Sequence, residues 1–195
     1  MSMKRVWSLA VGLLLCGLGG VPAAHAAPPC ISGDAPALEL RVTAAALAPD
    51  SDRSLTVRVF DGGCVQVHRP AYRRDAGDFR LDLQPAALEA LRLEVDQPAL
   101  RAFDAKRVQT ELAAAQRKRN AAEGRELRYG ELDADTYEIH WRSGSKRSAA
   151  VWNGLPDRTG AAADQASLQA FRSAATALQA LAERGDAVRV DGGRP

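Results

Sequence analysis

Beyond its first 26 residues the chain carries only two histidines, His68 and His140. Imidazole titrates near neutral pH and is a common metal ligand, so chemistry would first be sought at these positions. Both fall on the polar side of an alternating apolar–polar segment. If the two segments were neighbours, the rings could meet, and Asp133, Asp135 or Glu138 could complete a metal site. Neither histidine belongs to a His-x-His or His-Glu-x-x-His pattern, where one element aims two ligands at one ion, so no metal is assigned. The same stretch offers a second chemistry. Asp133 and Asp135, with Glu131 beside them and His140 downstream, could serve an envelope-acting hydrolase or a metal-dependent enzyme. A calcium loop of the EF-hand type needs further ligands at fixed offsets and a terminal glutamate, which are absent. The acids read more simply as a solvated turn leading into a strand.

Ser143-Gly144-Ser145-Lys146 matches the Ser-x-x-Lys pattern of penicillin-interactive enzymes. That motif should open a helix, whereas here it falls on a turn between two alternating segments. Its companion motifs are missing, as are a Gly-x-Ser-x-Gly elbow and a phosphate-binding glycine loop. No catalytic residue and no cofactor is assigned.

Recognition is better served. Arg69-Pro70-Ala71-Tyr72-Arg73-Arg74 packs three guanidinium groups and a tyrosine into six residues. Arginine and tyrosine are enriched at binding hot spots, and guanidinium suits carboxylates, phosphates and anionic sugars. Arg69, Tyr72, Arg73 and Arg74 are therefore the candidate ligand-binding residues, for an envelope protein or an anionic envelope ligand. Asp75 and Asp78 follow directly and offset the charge locally. On this basis Arg73→Ala with Arg74→Ala should weaken capture at little cost in stability.

These residues are expected to work outside the cytoplasm. Lys4 and Arg5, the apolar run 6–18 and Ala24-His25-Ala26 form a secretory leader in the right order. Cleavage is expected before Ala27, making residues 1–26 the signal and leaving no membrane span in the mature form. Cys16 offers an alternative, a lipid-anchored structural lipoprotein, but Leu15 is bulky where lipoprotein processing wants a small residue. Two of the 26 Lys and Arg residues lie in the leader, so the mature part carries 24 bases against 24 acids. A nucleic-acid binder would show a basic excess. The Ala- and Arg-rich, Lys-poor usage suits a high-GC bacterial genome. A Gram-negative periplasm is inferred, with export to the medium as the alternative. Cys30 and Cys64 then remain, and in an oxidising compartment they are expected to pair.

The elements that must position these groups read as one α+β domain over 27–185. Leu38, Leu40 and Val42 alternate as a half-buried strand. Leu55-Val57-Val59 and Val65-Val67 alternate about Asp61-Gly62-Gly63. A three-residue turn pairs Val59 with Val65 and keeps the apolar side chains on one face, whereas a two-residue turn would scramble them. Phe79, Leu81 and Leu83 form a further strand. Pro85 opens a helix through Val95, Pro98 begins a short turn, and Asp104 caps a helix expected to end in Arg117-Lys118-Arg119. Residues 120–135 read as irregular. Tyr137 to Trp152 form a second hairpin, Asp164 caps an amphipathic helix, and Gly185 ends it as the C′ residue, a position where glycine commonly takes positive φ. The tail 186–195 is expected to be loose. Strands, then helices, then a hairpin, then a helix predict an antiparallel sheet of two hairpins plus additional strands, with about three helices on one face.

The strand–Asp-Gly-turn–strand of Val57 to Val67, the Pro85-led helix, the Asp133 entry to a strand and the closing helix from Asp164 together resemble a loose class of small secreted domains of Gram-negative bacteria. The resemblance spans most of the mature chain and implies no activity. What is expected is a non-catalytic secreted or periplasmic binding or accessory domain, of inhibitor or immunity type.

Overall fold

A computed structural model describes residues 30, 35–48, 50–124, 134–156 and 162–190. The proposed leader, Cys16 and Asp133 lie outside the described residues. Seven strands are present: β1 (Leu38–Thr43), β2 (Ser54–Val59), β3 (Cys64–Arg69), β4 (Gly77–Asp82), β5 (Thr136–Ser143), β6 (Lys146–Asn153) and β7 (Val188–Arg189). They form one antiparallel sheet in the order β6-β5-β1-β2-β3-β4-β7. Four helices, α1 (Pro85–Val95), α2 (Pro98–Arg101), α3 (Ala105–Glu123) and α4 (Ala166–Ala182), complete the fold. The α+β architecture expected from the sequence is the one observed.

Period-2 alternation decides the layering. Leu40, Val57, Val59, Val65, Val67 and Ile139 project from one face and are essentially inaccessible. α4 lies against β1, β2, β3 and β5 on that face, with Leu168, Phe171 and Leu178 fully buried. Burying a side chain of that size contributes about 1.5–3 kcal/mol, so α4 is the main cover of the sheet. The opposite face carries Glu39, Arg58, Gln66, His68, Glu138 and His140, half-buried or exposed.

Several local expectations hold. Val59 pairs with Val65 and Val57 with Val67. The Phe60 amide donates to the Cys64 carbonyl (2.9 Å), which closes the hairpin around Asp61-Gly62-Gly63. Gly63 has φ +84°, and a Cβ there would lie 2.7 Å from the Leu83 carbonyl oxygen. Only glycine satisfies both conditions. Cys30 and Cys64 are disulfide-bonded and pin the region before β1 to this hairpin. Asp104 caps α3 by accepting from the Arg107 amide at 2.9 Å.

Four expectations need correction. α3 does not stop at Arg119 but runs through Glu123, because Ala121 and Ala122 are strong helix formers and Gly124 (φ +62°) supplies the left-handed stop. Asp164 does not cap α4. Gln165 holds that position without a side-chain bond, while Asp164 lies in the preceding turn, 3.8 Å from Arg119. Gly185 does not adopt positive φ, and α4 ends at Ala182. The tail is not loose throughout, since Val188 and Arg189 pair with Arg80 and Phe79 as the seventh strand.

Candidate functional site

The two histidines do not meet. His68 lies on β3 and His140 on β5, with β1 and β2 between them. Three strand spacings put them about 14 Å apart across the sheet. Nor does His140 join Asp135. Five residues of extended chain separate them, about 17 Å along the chain, and Asp135 precedes β5, its carboxylate held by the Ala45 amide. His140 instead faces Glu138 at 3.6 Å. Among the described residues no group of three or more His, Cys, Asp or Glu could hold a metal ion. Ser143 and Lys146 sit opposite each other at an exposed hairpin tip, not in a helix where a base could be held against the hydroxyl.

The expected recognition loop is built differently from its sequence appearance. Arg69 continues the core-facing alternation of Val65 and Val67, and only 8% of its surface is exposed. Its Nε and Nη2 donate to the Ala182 carbonyl at 3.0 and 2.6 Å, so it caps the C-terminus of α4 in place of a glycine. Cation at that end also complements the helix dipole. Nη1 donates to Asp75 Oδ2 (2.8 Å), and the guanidinium lies 4.1 Å from the Phe79 ring centroid. Arg69 is thus an anchor, not a free ligand-binding group.

Arg73 is also engaged. It donates to Asp75 Oδ1 (3.0 Å) and forks onto both carboxylate oxygens of Glu183 at 2.9 and 3.2 Å. That fork holds Glu183 below the usual glutamate range, its burial opposing, and raises the Arg73 pKa. Burial would raise the Asp75 pKa, but the hydrogen bond from Arg73 and attraction to Arg69 and Arg73 outweigh it and hold the carboxyl low. A third tether joins the β1–β2 connection, where Asp52 Oδ2 accepts from the Ala71 amide at 2.8 Å.

Asp52 Oδ1 meets His68 Nε2 at 3.0 Å, and His68 Nδ1 meets Asp78 Oδ1 at 2.8 Å. The two carboxylates lie at different ring nitrogens, so they do not gather with the imidazole around one ion. Burial would lower the imidazole pKa; the hydrogen bonds to Asp52 and Asp78, with their negative charge, override it and raise the value. Asp52 is lowered, first by its bond to His68, with the Ala71 amide assisting against burial.

What this framework leaves outward is Tyr72 and Arg74. Tyr72 is 53% exposed, and Arg74 is exposed. Neither side chain has a hydrogen bond or ion pair among the described residues, and only Arg41, Arg117 and Arg147 among the other described arginines share that condition. Asp135 stands close by. Burial, then the negative charge of Asp135, raises the pKa of both Tyr72 and Tyr137. Asp135 is itself fixed by the Ala45 amide at 3.2 Å. The loop tyrosine and the Asp135 carboxylate, far apart in sequence, therefore share one end of the sheet. Strand parity alone places Arg69 on the core-facing side, but its Ala182 partner and the Glu183 partner of Arg73, 113 and 110 residues distant, had no local signal.

No protein-family model, no curated protein and no solved structure matches the chain.

Proposed function

We propose that the protein is a non-catalytic secreted or periplasmic binding or accessory domain, and that the loop 70–76 is its recognition surface. One observation carries this reading. The loop is fixed to the end of α4 and to the β1–β2 connection, yet presents an arginine without a partner among the described residues and an exposed tyrosine. A surface ordered before binding loses less entropy on association, and tyrosine and arginine gain most from desolvation by a partner. Arg74 suits a carboxylate, phosphate or anionic sugar, so the partner is an envelope protein with an acidic patch, as an inhibitor or immunity-type domain would meet, or an anionic envelope ligand. The hydrolase alternative draws no support from Asp135 and His140, which have separate partners, the Ala45 amide and Glu138.

The test is capture on the immobilised, oxidised protein. Tyr72→Ala with Arg74→Ala should abolish retention of whatever the unaltered protein binds from envelope extract, with the circular-dichroism spectrum unchanged. Equal retention by both forms would overturn the reading. Arg73→Ala is not a suitable probe, since it breaks the tie to Glu183.

A further inference from the structure

Both ring nitrogens of His68 lie within hydrogen-bond distance of a carboxylate oxygen, Nδ1 of Asp78 and Nε2 of Asp52. A neutral imidazole carries one N–H. It can donate to only one of these acids and must turn a lone pair toward the other. The observed bridge therefore requires the doubly protonated ring. The acid on the Nε2 side is Asp52, whose second oxygen holds the Ala71 amide at the head of the recognition loop.

We infer that His68 is a proton-operated latch on the recognition loop, closed when the ring is charged and slackened when it is neutral. The inference rests on the recognition role of the loop and adds its regulation. Loss of the proton removes one donor, and the lone pair then repels either Asp78 or Asp52. Asp78 belongs to β4, where its backbone is paired with His68 and its carbonyl accepts from the Val190 amide. Asp52 belongs to a connection between strands and is the acid free to withdraw, carrying the Ala71 contact with it. The other charged groups near His68 do not replace the proton. On the same sheet face, Arg58 of β2 is paired with Glu39 at 3.4 Å and Arg80 of β4 with Asp82 at 3.1 Å, while Arg41 of β1 lies beyond Thr56. Capture by Tyr72 and Arg74 should thus be stronger on the acid side of the His68 midpoint.

The test needs no ligand. Imidazole resonances would give the His68 midpoint, and hydrogen exchange would give the protection of the Ala71 amide on either side of it. Unaltered protein should lose about 1.5- to 5-fold of that protection, as expected for an exposed charged pair, when His68 is neutral. His68→Gln, which cannot charge, should show the lower protection at both pH values. Protection that is equal on both sides, or a step that survives in His68→Gln, would overturn the latch. Since neither readout involves binding, the latch can fail while the Tyr72–Arg74 surface stands, and the capture test can fail while the latch stands.

Discussion

Replacing Arg69 tests whether the loop is anchored as described. Arg69→Met keeps an unbranched apolar stem of similar length against Phe79 and removes the guanidinium. Two N–H groups to the Ala182 carbonyl are lost, together with the bond to Asp75. Ala182 is fully buried, so its carbonyl is left without ready access to water. A hydrogen bond from a charged group contributes about 1.5–3 kcal/mol, and the cation over Phe79 about 0.5–2 kcal/mol. Asp75 is 46% exposed on its side chain, so it regains water, and its loss of a partner adds little. The sum is about 3 kcal/mol, or a fall of roughly 6–12 °C in Tm for a domain of this size. Arg69→Lys keeps the charge but not the fork, and should lose about half as much. Equilibrium urea unfolding of the oxidised proteins measures both. An Arg69→Met protein within about 0.5 kcal/mol of the parent, the range of an ordinary surface change, would refute the anchoring role.

Other consequences follow from the same structure. Reducing Cys30–Cys64, which closes a loop of 34 residues in sequence separation, should destabilise the protein by about 3–4 kcal/mol, read as the shift in urea midpoint with and without reductant; an unmoved midpoint would deny the bond. Gly63→Ala should cost about 2 kcal/mol or more from the left-handed conformation and the Leu83 carbonyl, whereas Gly62→Ala, with no atom within 4 Å, should be near neutral; comparable losses in thermal melts would contradict the hairpin geometry. Stability of the loop anchors should depend on pH with opposite signs. Asp52, Asp75 and Glu183 are held low, so their contribution is present above the ordinary values of 3.8 and 4.5 and is lost as pH falls through their depressed ones. His68 is raised, so its contribution is full below 6.5 and is lost as pH rises through its folded value. Amide exchange at Ala71 should therefore be slowest, relative to its intrinsic rate, between about pH 5 and 6.5, and a flat profile would argue against both effects.

The sheet was readable in sequence wherever its signal was local. Val57 to Val67 alternate with period 2 about a glycine-rich turn, and only one loop length keeps Val59 and Val65 on the same face, so register followed. Asp104 was readable for the same reason, because a cap acts within three residues. The misreadings share the opposite cause. Gly185 looked like the end of α4 because glycine commonly terminates helices, but the carbonyl it would have served is taken by Arg69, 113 residues earlier in the chain. Two residues of β7 are too few to show a period. Placement of β5 beside β1 separates the hairpins and the two histidines, and no residue pattern within either hairpin encodes that adjacency. The recognition loop was found by composition, and its division into two anchors and two presented groups emerged only with the partners on α4 and in the β1–β2 connection.

The recognition surface is tested most directly by the affinity of the captured partner for three proteins compared by titration calorimetry: the parent, Tyr72→Ala with Arg74→Ala, and Arg117→Ala. Arg117 is another exposed arginine without an ion-pair partner among the described residues, placed on α3, and it controls for loss of charge alone. Loss of two hot-spot side chains, at about 2 kcal/mol or more each when fully desolvated, should raise Kd by about 700-fold or more, with less than about threefold for Arg117→Ala. Equal Kd values for the parent and the loop variant would contradict recognition through Tyr72 and Arg74.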